Sequence, residues 1–355
     1  MKNSTGLDFT GQSIFVGIDI GKRSWEVCIL TGHHEHKVFT QPPQVDLLVR
    51  YLRRLFPGAI YSCVYEAGFC GFWIHDELER QGVRCMVVNP ADVPTKHKEQ
   101  VTKTDRVDAR KLARGLRNGE FESIYVPPRD ALEDRSLVRT RLQFIRKQTR
   151  CKNQIKALLY FYGITLPENA ARNWSKRFIT WLEQVRMEQA SGDQTLKLLL
   201  EELHHLRDTI ANLTKQIRVL AFSNKYGESV QYLCSIPGIS PLIAMTLLTE
   251  LVDINRFESL DKLASYVGLI PGQHSSGEEE MMTGLITRRN AFLKYVLIEG
   301  AWVAVKKDPA LIMALNKLAH RMPKNKAIIR ITRKLLSRIM FVVKHKQPYR
   351  INMVA

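Results

Sequence analysis

The sequence predicts an N-terminal α/β domain followed by a mostly helical remainder. Three observations carry that prediction. Short β-patterned runs alternate with amphipathic helical ones through the first 126 residues. Pro127-Pro128 then ends the alternation. Beyond it helical periodicity dominates, with one unbroken heptad run.

Taken in order, Ser13–Ile20 is a buried strand, and Ser24–Thr31 is an alternating one after the Gly21-Lys22 turn. Glu35–Thr40 completes a meander. Val45–Phe56 places Leu47, Leu48, Tyr51, Leu52 and Leu55 on one side of a helix. Ala59–Glu66 is a strand, Gly71–Gln81 a helix, and Arg84–Asn89 a strand stopped by Asn89-Pro90. Thr104 then caps a helix running to Leu116. The order β-β-β-α-β-α-β-α is that of the RNase H-like fold.

Arg129–Phe161 reads as a long helix with nine Lys or Arg against three acids. Next comes the heptad seam: Leu196, Leu199, Leu203, Leu206, Ile210, Leu213, Ile217 and Leu220, stepping alternately by three and four. Two readings stay open for it, a coiled-coil oligomerisation arm or an intramolecular hairpin with Arg129–Phe161. A second compact unit, about Ser229–Lys317, opens with Ser235-Ile236-Pro237-Gly238-Ile239-Ser240 and an apolar helix to Leu251. That turn is helix-hairpin-helix-like, and bare backbone at Gly238 is suited to approach a phosphate. Arg256–Leu269 is a helix, Pro271 to Gly284 a loop, and Thr287–Val305 a helix. The expected domains are 10–128, a basic helix and coiled-coil arm over 129–226, a mostly α domain over 227–320, and a basic helical tail over 321–355.

The chain has 53 Lys and Arg against 35 Asp and Glu, a formal net charge of +18. Residues 1–128 are nearly balanced, whereas residues 309–355 hold 11 basic side chains and no acid. Ile328, Ile331, Leu335 and Ile339 recur there at helical spacing, so Arg330, Arg333, Lys334 and Arg338 are candidate phosphate contacts along a helix. The six cysteines form no CxxC pair and read as reduced core thiols, which argues against a disulfide scaffold or zinc ribbon. Met1–Ser13 is polar, unlike a signal peptide, and no run approaches a membrane span. A cytoplasmic, nucleoid-associated protein with a polyanionic partner and no membrane contact is expected. His33, His34 and His36 read as a solvated turn.

Four acids stand out. Asp19 lies between Ile18 and Ile20 in an apolar strand, where a carboxylate is costly unless paired or bound to a cation. Glu66 ends the strand that neighbours it in the RNase H-like order. Asp105 and Asp108 are three apart on one helix face. Alone, these last two suit the first turn of any helix, and Glu66 suits a strand end. Jointly, four hard oxygen donors at these places suit Mg²⁺ or Mn²⁺ and phosphodiester cleavage.

With these residues in view, nearly the whole chain resembles the DEDD insertion-sequence transposases, bridge-RNA-guided recombinases related to Piv-type DNA invertases. The matching motifs are Gly17-Ile18-Asp19-Ile20-Gly21-Lys22, Tyr65-Glu66-Ala67-Gly68, Val88-Asn89-Pro90 and Lys103-Thr104-Asp105-Arg106-Val107-Asp108-Ala109. Further along come Ile236-Pro237-Gly238-Ile239, Gly268-Leu269-Ile270-Pro271 and Ser275-Ser276-Gly277. The resemblance implies that Asp19, Glu66, Asp105 and Asp108 are the metal-binding tetrad of a RuvC-like domain. It also implies a serine nucleophile that links covalently to DNA, and its position before glycine selects Ser276 over Ser275. Donor and target DNA, a structured guide RNA and a dimer or tetramer are the implied partners. The chain departs from the family at Glu278-Glu279-Glu280 and at Arg288-Arg289-Asn290, where Gly-Asn is more typical. Rival readings are a RuvC-like nuclease or junction resolvase, which needs no Ser276, and a non-enzymatic nucleic-acid-binding oligomer, which leaves Asp19 unexplained. A sugar-kinase-like phosphate loop at Gly17–Lys22 lacks the second loop that reading requires.

Overall fold

The computed structural model describes residues 8–32, 34–94, 104–167, 174–276, 279–285 and 288–351, with backbone alone for 272–276 and 279–284. His33, Lys103, Gly277 and Glu278 therefore lie outside the described residues, as do the side chains of Ser275, Ser276, Glu279 and Glu280. The chain divides into two compact units between Val126 and Pro127.

The first unit is built on a five-stranded sheet. Its strands are β1 (Ser13–Ile20), β2 (Trp25–Leu30), β3 (Glu35–Gln41), β4 (Ile60–Glu66) and β5 (Arg84–Val88). They lie in the order β3-β2-β1-β4-β5, with β2 antiparallel to both neighbours and β1, β4 and β5 parallel. This arrangement is consistent with the RNase H-like fold. Strand alternation divides β1 between two layers. Ile14, Val16 and Ile18 pack with Leu48 and Leu52 of α1 (Val45–Leu55) and Ile74 and Leu78 of α2 (Trp73–Arg80). The other face is covered by α3 (Asp105–Asn118), whose Ala109 and Ala113 meet Cys28 and Leu30, and whose Leu112 meets Val64 and Val88. Gly119 ends α3 in the left-handed conformation that a side chain rarely adopts.

The second unit begins with α4 (Arg129–Phe161), α5 (Lys176–Gln184) and α6 (Ala190–Ala221). Here the heptad run finds its partner inside the chain. Helix α6 packs against α4, and the bonds Arg141 Nε to Thr214 Oγ1 (2.7 Å) and Cys151 Sγ to Leu199 O (3.4 Å) run in opposite sequence directions. Leu196, Leu203 and Leu206 bury with Cys151, Ile155 and Leu159, a complementary apolar seam on α4. Of the two readings of this run, the hairpin is the one formed.

The rest comprises α7 (Gly227–Cys234), α8 (Pro241–Leu251), α9 (Leu260–Val267), strands β6 (Pro271–Ser276) and β7 (Glu279–Leu285), α10 (Ala291–Ala304), α11 (Pro309–Ala319) and α12 (Lys324–His345). The expected loop over 271–284 is instead an antiparallel hairpin, registered from Gly272 opposite Thr283 to Ser276 opposite Glu279. Ladder hydrogen bonds satisfy backbone groups that a long loop would leave to solvent, despite a composition rich in Gly, Ser and Glu. Helix α12 belongs to the core: Ile328, Ile331, Leu335, Leu336 and Ile339 bury with Leu233, Leu263 and Leu297. No helix among the described residues is long and apolar enough to cross a membrane.

Candidate functional site

The four acids are brought to one end of one sheet face. Asp19 is two residues beyond Gly17, and Glu66 two beyond Val64, so each shares the side of the sheet that α3 covers. The parallel register Ile18 opposite Tyr65 puts Asp19 and Glu66 next in line on adjacent strands. Two ion pairs fix which end of α3 reaches them. Arg106 Nε lies 3.5 Å from Glu26, the register partner of Asp19. Arg110, one turn on, reaches Glu35 at 2.9 Å, beside Leu30, which pairs with Phe15. Helix α3 therefore descends from the Asp19 end, with Asp105 and Asp108 in its first turn. Asp19, Glu66 and Asp108 are half-buried, and Asp105 is exposed.

Gly17 makes this docking possible. A Cβ there would lie 3.0 Å from Ala113 Cα, and closer still to Ala109 O and Ala113 N. The helix backbone thus rests directly on β1, and only glycine leaves room for it.

The surroundings suit a hard cation. All four donors are carboxylates. Glu26 beside them keeps Oε2 buried without a hydrogen bond, with Arg106 as its counter-charge. Among the described residues no group of three or more His, Cys, Asp or Glu is already drawn close enough to hold a metal. What converges is the placement of strands, face and helix turn.

In the second unit, the backbone of Ser276 closes β6 at the tip end of the hairpin, opposite Glu279. Comparison with known proteins covers both units in the same order. A transposase family model named for the DEDD transposases of IS110 matches residues 16–164, and the model described as Transposase IS116/IS110/IS902 family matches residues 230–315. The chain belongs to the IS110/IS116 transposase family. The transposase y4qE of Sinorhizobium fredii is 29% identical over 82% of this chain and 72% of its own length. The transposase for insertion sequence element IS1111A of Coxiella burnetii is 25% identical over 94% of this chain and 91% of its own. A pilin gene-inverting protein of Moraxella lacunata is 23% identical over 94% and 97%.

The other predicted contacts of this transposase fare differently. Gly238, at φ +91°, owes its conformation to packing: a Cβ would lie 2.8 Å from Ala304 N and closer to Gly300 O on α10. The side of Gly238 that a Cβ would occupy is filled by that helix. Arg338 is turned inward, ion-paired with fully buried Asp308 and stacked 4.9 Å from the Tyr349 ring. It is spent within the fold. Arg330 and Lys334 are exposed, and Arg333 pairs with Asp261. These three line a groove of about 1080 Å³ between α12, Leu260 and the base of the hairpin at Pro271 and Leu285.

One important residue went unread in the sequence. Glu250, buried in α8, accepts from Arg139 Nε and Nη2 at 2.6 and 2.7 Å and from Asn290 Nδ2 at 2.8 Å. Its hydrogen bond holds Arg139 above the usual guanidinium value, whereas burial lowers nearby Arg135 despite the same carboxylate. Asn290 Oδ1 in turn accepts from the Phe292 and Leu293 amides at 3.1 Å each, capping α10. Glu250 thus ties α4 and α8 to the segment that follows β7. A carboxylate in the apolar run Pro241–Leu251 was the available signal.

Proposed function

We propose that this transposase cleaves and rejoins DNA with a metal-binding tetrad, Asp19, Glu66, Asp105 and Asp108, and a serine nucleophile, Ser276. The observation that carries this reading is the delivery of α3's acidic first turn to the face and end of the sheet where Asp19 and Glu66 sit. A bound Mg²⁺ or Mn²⁺ would supply charge stabilisation on phosphoryl oxygens. The chain's own part is to hold three half-buried carboxylates and one exposed one at a common end of the sheet.

In the serine step, Ser276 Oγ gives up its proton and bonds to phosphorus. The P–O bond to the departing strand breaks, and the departing oxygen takes a proton. Attack by a hydroxyl of the incoming strand reverses these changes, frees Ser276 and rejoins the DNA. Inversion by the Moraxella relative, as its name states, is the kind of exchange this chemistry would perform.

Guidance by a structured bridge RNA belongs to the proposal through family resemblance. Assembly as a dimer or tetramer does too. Because α4 occupies much of the α6 seam, such assembly would use other surface.

Asp19→Asn, Glu66→Gln, Asp105→Asn and Asp108→Asn are expected to cut divalent-dependent cleavage of element-end DNA by about 100-fold or more, as for misplaced or missing catalytic groups. Cleavage that survives these changes, or that proceeds in chelator, would sink the tetrad. Sequencing RNA that copurifies from cells carrying the native flanking DNA tests guidance: a discrete structured species supports it, and random cellular RNA refutes it.

A further inference from the structure

We propose that one exposed stripe of α4 is a binding track for single-stranded DNA, ending in an aromatic platform on which unpaired bases stack. From Arg135 to Phe161 this helix carries eight Lys or Arg and no Asp or Glu. Three of the cations are occupied within the fold: Arg135 and Arg139 at Glu250, and Arg141 at Thr214. Arg146, Lys147 and Arg150 are exposed, with Arg146 resting over the Phe292 ring at 5.4 Å and Lys147 over the Phe144 ring at 4.7 Å. Steps of four, seven and four lead from Arg146 through Arg150 and Ala157 to Phe161 along one helix face. That stripe is roughly 22 Å long at 1.5 Å per residue.

At its far end the helix exposes what a folded core normally hides. Tyr160 is 65%, Phe161 82% and Tyr162 58% exposed, and the Phe161 and Tyr162 rings meet edge-on at 5.1 Å. Lys152 and Lys156 lie nearby over the Trp174 ring, at 5.6 and 5.9 Å. On the buried side of the helix Glu202 acts on Cys151, so that acid of α6 lies away from the stripe.

Charge chooses the occupant. A second copy laid on the same stripe would oppose cation to cation with no carboxylate to relieve it. A polyanion is attracted to its Arg146–Arg150 end, from which the rings lie within reach of the same strand. A duplex keeps its bases stacked inside, leaving the three rings without a partner, whereas an unpaired strand offers both phosphates and open base faces. The choice of DNA rests on the transposase reading above, since cutting and exchange expose single strands of the substrate.

The test is equilibrium binding of fluorescein-labelled oligo(dT), of about twenty nucleotides, to the full chain in chelator, followed by anisotropy across salt. Binding without divalent metal is independent of cleavage, so failure of the tetrad or of Ser276 leaves this readout intact. The triple change Tyr160→Ala, Phe161→Ala, Tyr162→Ala is expected to weaken binding by roughly tenfold or more with the salt slope unchanged. Arg146→Gln, Lys147→Gln, Arg150→Gln is expected to lower the slope by about 2, at ~0.7 for each phosphate no longer neutralised. Phe161→Trp is expected to retain affinity and to add emission that the oligonucleotide quenches. Unchanged affinity and slope in both triple variants overturns the proposal. So does a ring variant that binds normally but loses mass by light scattering, which would make the platform a contact between copies. Tighter binding of oligo(U), with ring dependence confined to it, would overturn the DNA assignment in favour of RNA.

Discussion

Gly17→Ala is the most informative single substitution in the first unit. The added methyl would meet the backbone of α3, not the end of a flexible side chain: Ala113 Cα lies 3.0 Å away, and Ala109 O and Ala113 N are closer. Restoring ordinary carbon contact of 3.5–4 Å requires α3 to retreat by about 1 Å. Overpacking of this kind costs about 1–3 kcal/mol, which lowers the melting temperature by a few to roughly 15 °C. For the proposed tetrad the functional cost is larger. The same displacement carries Asp105 and Asp108 away from Asp19 and Glu66, and a 1 Å misplacement at a reacting centre is worth about 100-fold in rate. Divalent-dependent DNA cleavage and thermal melting, measured on the same preparation at a temperature where the variant is folded, separate the two effects. Gly32→Ala, where a Cβ meets nothing within 4 Å, is the matched control. Wild-type melting and cleavage in Gly17→Ala would refute the docking of α3 on β1.

Three further outcomes are expected. Glu250→Gln leaves Arg139 and Arg135 short of their counter-charge and is expected to cost roughly 2 kcal/mol or more in urea unfolding of the second unit; an unchanged midpoint would contradict the anchoring role. Arg338→Gln strands buried Asp308 and is expected to destabilise by roughly 3 kcal/mol without altering the salt slope of DNA binding, whereas Arg330→Gln with Lys334→Gln should lower that slope and leave stability alone. The reverse pattern would show that Arg338 faces the DNA. Burial pushes the Cys28 and Cys151 thiols up to about 11 from an ordinary value of 9.0. The folded chain then holds protons that the unfolded chain releases, so stability should be flat below about pH 9 and fall toward pH 11. Melting that rises over that window would contradict it.

Much of the first unit was legible from local pattern. Strand alternation, the helical spacing of Leu48 and Leu52, and a carboxylate amid Ile18 and Ile20 each report their surroundings within a few residues. What stayed hidden depended on distant partners. That Gly238 is required for packing shows only once Gly300, far along the chain, comes against it. Arg338 reads as one more tail cation until Asp308 comes beside it. The heptad run was visible, and Arg129–Phe161 was one of its two candidate partners; what decided for it was the packing of Leu196, Leu203 and Leu206 with Cys151, Ile155 and Leu159, which only the folded chain shows. The hairpin around Ser276 was missed because its composition disfavours strands and only pairing between its two halves stabilises it. Deleting residues 321–355 would remove buried Ile331, Leu335 and Leu336, so charge substitutions are the sounder probe of that helix.

The most direct test of the account is capture of protein on DNA. End-labelled DNA carrying the element's own ends would be incubated with the transposase as purified from cells carrying the native flanking DNA, together with Mg²⁺, then resolved under denaturing conditions. The account predicts a covalent protein–DNA band that persists after denaturation, disappears in Ser276→Ala and in Asp19→Asn, and remains in Ser275→Ala. A covalent band of full intensity in Ser276→Ala, or strand exchange with no covalent species at any time, would contradict it.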